Sequence, residues 1–202
     1  MKRPAIAALA ALLAAGLASP GPLLAHITPP VVLLSERDAV TQLLAGARKF
    51  SVLEVRLTAE ERRSIAKEWN WTPTEDFYRF YMGREEDGKL LGAVVFVTDF
   101  TIHGPIEVAV AFDPKGVVLG ANVVECTEET YPWVKPLLDL KFDRWYVGQD
   151  CRAHCEAMKG GKVDTLHPMC HFYAEVLANL VQKGSVLYDV AVTRRGASSK
   201  HG

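Results

Sequence analysis

Apolar residues recur at helical spacing early in this chain, at strand-like spacing through its middle, and at helical spacing again near its end. In "SERDAVTQLLAGA", Ser35 stands as an N-cap before Glu36 and Asp38, acids that oppose the helix dipole, and Val40, Leu43 and Leu44 form one stripe. "LTAEERRSIAKEW" predicts a second short helix. Thr58 caps it, Glu61 three residues on completes a capping box, and Ile65 and Trp69 share a face. From Asp76 the texture changes. Two apolar runs flank "EEDGK", whose Asp87-Gly88 is a strong hairpin signal. "IEVAVAF" and "VVLGANVVEC" flank the turn Asp113-Pro114-Lys115-Gly116. Together these runs predict an antiparallel sheet of about four strands. "TYPWVKPLLDLKFDRWYVG" reads as a proline-punctuated crossover with short helices. "CHFYAEVLANLVQKG" is a closing helix with the stripe Phe172, Val176, Leu177, Leu180 and Val181, and Gly184 as its C-cap. "SVLYDVAV" reads as a last strand and "RRGASSKHG" as a disordered polar tail. The expected class is α+β: an antiparallel sheet of two hairpins with flanking helices and a small helical N-terminal segment.

Composition adds a compartment to this picture. The positive start Met1-Lys2-Arg3, the alanine-rich run "AIAALAALLAAGLA" and the breakers in "SPGPLLA" form a secretory leader. The run is shorter than the roughly 20 residues that span a bilayer. Residues 1–25 are therefore expected to be a signal peptide, 26–75 the helical N-terminal segment, 76–192 the main domain and 193–202 the tail. Export to the periplasm follows, with the mature chain soluble or peripheral to the membrane. Loss of the leader leaves 21 basic against 24 acidic residues, a net charge of -3. No basic field is on offer for nucleic acid. No separated Ser/His/Asp set and no phosphate-cradling glycine loop stands out, so no catalytic residue is assigned.

The order of these pieces resembles a known family. "DGKLLGAVVFVTD", "GPIEVAVAFDPKGVVLGANVVECTEE", "FDRWYVGQD" and "KVDTLHPMC" before a helix are similar to the FMN-binding domain of bacterial electron transport. That domain occurs in subunits of sodium-pumping quinone reductases, in regulators of nitrous oxide reduction and in small exported proteins. The resemblance covers roughly residues 76–190. It implies FMN as cofactor, a redox partner protein, and a flavin site between the acidic turn and the start of the closing helix. Glu128 and Thr130 are the candidate contacts in the turn, and Thr165, His167, Cys170 and His171 those at the helix start. Backbone N–H groups at that start suit a phosphate. The family carries Ser/Thr-Gly-Ala-Thr after its aspartate and two residues, and the last threonine takes FMN through a phosphoester. Here Asp164 is kept but His167, Pro168, Met169 and Cys170 stand in those four places. A thiol does not receive the same phosphoester, so any flavin is expected to be non-covalent.

Cys151, His154, Cys155, His167, Cys170 and His171 crowd into one stretch. Their spacing matches no standard zinc finger. Cys170-His171 keeps the end of a c-type haem motif, which makes haem the alternative cofactor. In an oxidising compartment Cys151 or Cys155 is expected to pair with Cys170. A second class of function then stands beside electron transfer: a cofactor-free, disulfide-stapled periplasmic domain that binds a protein partner.

Overall fold

The computed structural model describes residues 28–198. The leader expected at 1–25 and the last residues of the tail lie outside the described residues. The class is α+β, built on one six-stranded antiparallel sheet. Its strands are β1 (Pro30–Val32), β2 (Lys49–Val55), β3 (Tyr78–Arg84), β4 (Leu90–Thr101), β5 (Gly104–Phe112) and β6 (Val118–Thr127), in the order β1-β6-β5-β4-β3-β2. The helices are α1 (Glu36–Leu43), α2 (Ala59–Trp69), α3 (Tyr131–Asp139), α4 (Phe142–Trp145), α5 (Pro168–Tyr188) and α6 (Arg195–Ser198).

Local chemistry accounts for most of the ends. Ser35 Oγ accepts from Asp38 N at 3.1 Å to start α1. At α2 the capping box is complete: Glu61 N donates to Thr58 Oγ1 at 3.1 Å, and Thr58 N donates to Glu61 Oε2 at 2.7 Å. Both expected hairpins form. β3 and β4 turn at Asp87-Gly88, where Gly88 takes φ 90° and Asp87 Oδ1 accepts from Lys89 N at 2.9 Å. β5 and β6 turn at Pro114–Gly116, where Asp113 Oδ1 accepts from Lys115 N and Val117 N, each at 2.8 Å.

The two faces of the sheet are covered unequally. α5 lies over β4 and β5 and closes the larger core, which includes Phe80, Val95, Val108, Val110, Tyr173, Leu177 and Leu180. α1 lies over β5 and β6 and closes a smaller cluster of Ala39, Val40, Leu44, Val94, Ala109, Ala111 and Val124.

The N-terminal segment holds its two expected helices and also supplies β1 and β2, the two outer strands of the sheet. Three expectations are corrected. Gly184 is not a C-cap but a contact point inside α5. A Cβ there would stand 3.1 Å from Val110 Cγ2, so the missing side chain lets the helix lie close on the sheet. Residues 185–192 are helical rather than a strand, and α5 continues through a π-helical turn, Asp189–Arg194, into α6. Burial explains this. Val186, Leu187, Tyr188, Val190 and Ala191 are all buried, and a short apolar run broken only by Asp189 has no period that separates strand from buried helix. Tyr188 stacks on Phe112 with centroids 4.6 Å apart and donates to Asp113 O at 2.8 Å, which holds this helix over the second hairpin. The described part of the tail is ordered for a related reason: Arg195 forks onto Glu61 at 2.9 and 2.7 Å and ties α6 to α2.

Candidate functional site

The acidic turn after β6 and the start of α5 meet, although about forty residues separate them in the chain. His167 is the N-cap of α5, and its imidazole stacks on Trp133 of α3 with centroids 4.9 Å apart. Thr130, the N-cap of α3, is fully buried and its Oγ1 lies 3.2 Å from the Tyr173 hydroxyl of α5. Of the six residues expected at the site, Thr130, His167 and Cys170 are drawn together around α3 and α5. Glu128 is exposed, and its N–H donates to Pro29 O at 3.0 Å. Thr165 is exposed and donates to Lys162 O at 2.8 Å. His171 turns elsewhere, to a cavity of about 360 Å³ that it lines with His154, Cys155 and Glu175.

The start of α5 does not fit a phosphate or a covalent flavin. Pro168 has no N–H. Met169 N donates to His167 Nδ1 at 3.2 Å and Cys170 N to His167 O at 2.8 Å, so these early donors are satisfied within the turn. Cys170 is 3% exposed, and burial raises its thiol pKa despite the helix start. A buried, protonated thiol is also a poor candidate for a haem thioether.

All four cysteines are free and buried. The expected bond from Cys170 to Cys151 or Cys155 does not form, and helix length is the reason. Cys155 N–H donates to Gln182 Oε1 at 2.7 Å, and its thiol faces Ser185. Gln182 lies twelve residues beyond Cys170 on α5, roughly 18 Å along the axis. Cys151 sits farther still, where its Sγ adjoins Gly116, Thr193 and Tyr188. A disulfide needs Cα atoms within about 7 Å. Burial pushes the thiols of Cys126, Cys151 and Cys155 up to about 11. No group of three His, Cys, Asp or Glu side chains among the described residues is arranged to hold a metal ion.

What Thr130 joins is a buried polar ring. Thr127 Oγ1 donates to His103 O at 2.5 Å and lies 2.9 Å from Thr130 Oγ1. The Tyr173 hydroxyl lies 3.2 Å from Thr130 Oγ1 and 2.8 Å from His103 Nδ1. Each hydroxyl has one proton. Thr127 shares its proton between the His103 carbonyl and Thr130 Oγ1, and the Tyr173 hydroxyl, which also lies 3.3 Å from Thr101 Oγ1, can give its proton to one of its three neighbours at a time. The ring starts and ends on His103. It ties together the β4–β5 turn, the end of β6, the start of α3 and the first turns of α5. Gly104 permits this approach: it takes φ 102°, and a Cβ would stand 2.6 Å from Thr127 Cγ2. His103 and Tyr173 carry no local sequence signal, because their role exists only once four elements converge.

A cleft opens elsewhere, where β3 and β4 part. Their pairing ends at Phe80↔Val95, while β4 runs on to Thr101 with β5 as its strand partner. The space beside Phe96–Phe100 is closed by the segment around Trp71–Phe77. It measures about 560 Å³ and is walled by Trp71, Phe77, Tyr81 and Phe96. Tyr81 meets Phe96 edge to face at 5.5 Å and donates to Glu36 Oε2 at 3.1 Å. At the rim, Arg79 and Arg56 both lie over the Phe77 ring, at 4.8 and 5.7 Å. Deeper in, Lys183 pairs with Asp99 at 2.7 Å and sits 5.6 Å from the Trp71 centroid. Flat aromatic walls, a strand edge and a pair of guanidinium groups suit a planar ligand with an anionic tail. No family model matches the chain, and no curated protein matches it in sequence.

Proposed function

We propose that this chain is an exported, FMN-binding-domain-like protein of periplasmic electron transfer that holds its flavin non-covalently in the aromatic cleft. The cleft carries the reading. Trp71, Phe77, Tyr81 and Phe96 would take the faces of the ring system, the free edge of β4 its polar rim, and Arg56 and Arg79 the phosphate. The start of α5, where the resembling family attaches its flavin, is closed by Trp133, by its own satisfied amides and by the burial of Cys170. A bound flavin would supply one- or two-electron exchange, while the protein supplies position and electrostatics. Phe100, beside the cleft, and Ile102, at the same hairpin tip, are 80% and 83% exposed and support docking of a redox partner there.

Titration with FMN, read by quenching of flavin fluorescence, tests the proposal. Saturable binding is expected, weakened at least tenfold by Trp71→Ala or Arg79→Glu and unchanged by His167→Ala. Loss of binding with His167→Ala alone would return the flavin to the start of α5. No binding of FMN or riboflavin at all would favour the second reading, a cofactor-free domain that binds a protein partner through the same exposed hairpin tip.

A further inference from the structure

We propose that β2 is the contact through which two copies of this chain join, edge to edge and antiparallel, about a two-fold axis at Ser51. The sheet has two edges, and they are treated differently. β1 is three residues long, begins at Pro30 and follows Pro29, a short proline-marked edge that resists strand addition. β2 is seven residues long, contains no proline and pairs with β3 without a bulge. Its outer side carries no strand among the described residues. Its middle is uncharged and apolar, with Phe50 49%, Val52 56% and Leu53 39% exposed.

The register identifies the occupant. Val52 lies opposite Tyr81, which packs on the α1 side, and Leu53 lies opposite Phe80 in the larger core. Phe50, Val52 and Glu54 therefore share the α1 face. A two-fold pairing that keeps each face continuous must be centred on a residue. Centred on Ser51, Phe50 faces Val52 of the second copy and Arg48 faces its Glu54, each pair occurring twice. Centred on Val52, Arg48 would face Arg56 and Phe50 would face Glu54. Centred on Leu53, Val52 would face Glu54. Only the first choice sets aromatic against β-branched and cation against carboxylate. Glu54 is solvent-exposed and pairs only loosely with Arg56 and Arg79, at 3.7 and 3.9 Å, so Arg48 of the second copy would join them on its outer side. A second copy supplies both complements at once, as an isologous contact does.

Sedimentation equilibrium of the purified protein over a wide concentration range should show a monomer–dimer equilibrium. Arg48→Glu or Glu54→Arg alone should weaken the dimer by about tenfold, and the two together should restore it. Ser51→Cys should give a covalent dimer on mild oxidation, whereas the parent chain, whose four cysteines are buried, should not. A monomer at every concentration would overturn the proposal. So would a dimer indifferent to both charge reversals and not trapped by Ser51→Cys.

Discussion

Tyr173→Phe removes one oxygen from the closed ring of His103, Thr127, Thr130 and Tyr173. The phenylalanine keeps the packing of a fully buried ring, so the loss is one of hydrogen bonding alone. His103 Nδ1 loses its partner at 2.8 Å and Thr130 Oγ1 its partner at 3.2 Å. Thr130 has no exposure to water, and it keeps Thr127 at 2.9 Å as its remaining side-chain neighbour. Leaving one buried polar group short of a partner costs about 1–3 kcal/mol. A loss of about 2 kcal/mol is expected here. With a urea slope of roughly 2 kcal/mol per molar, the unfolding midpoint should fall by about 1 M. Thr130→Val should also destabilise, and the double variant should cost less than the two single losses added, with a coupling of about 1 kcal/mol. Tyr173→Phe indistinguishable from the parent, or strict additivity in the cycle, would show that the four side chains are neighbours and not a ring.

The thiols supply the next prediction: native, unreduced protein should resist labelling at all four cysteines. A rise from 9.0 to about 11 at Cys155 leaves a thiolate fraction near pH 8 roughly a hundredfold smaller than usual. Intact-mass measurement should find no disulfide at Cys170, and a bond from Cys170 to Cys151 or Cys155 would contradict the placement of those loops along α5. The Glu61–Arg195 pair is pH-dependent, with Arg195 chiefly holding the Glu61 carboxyl below its ordinary 4.5. A depressed carboxylate stabilises the fold above the unfolded value, and that contribution fades as pH falls through the folded one. Arg195→Ala should therefore cost about 0.5–1 kcal/mol at neutral pH, a figure kept small because the pair is partly exposed. The difference from the parent should narrow below pH 4.5, leaving the share due to the Arg195 bond to the Arg56 carbonyl. Denaturation curves that stay equally far apart at pH 7 and at about pH 3 would exclude this linkage.

What the chain declared by itself was whatever physics acts within a few residues. Ser35, Thr58 and Glu61 cap helices through atoms three positions away, and Asp87-Gly88 and Asp113–Gly116 turn the chain through their own backbone angles and side-chain oxygens. Those signals read correctly without a fold, and with the apolar runs between them they define the α+β class. The rest depended on partners distant in sequence. β2 is an exposed strand because β3 lies beside it, and nothing inside "KFSVLEV" says so. Residues 185–198 are helical because Tyr188 finds Phe112 and Asp113, Arg195 finds Glu61, and burial on the sheet outweighs an ambiguous period. Cys170 looked poised to meet Cys151 or Cys155 because all three lie close in sequence. A helix that advances about 1.5 Å per residue carries their surroundings apart. His103, Thr127, Thr130 and Tyr173 show the same limit. Each is an ordinary polar residue in its own segment, and they form a ring only after two hairpin strands and two helix starts converge on one end of the sheet.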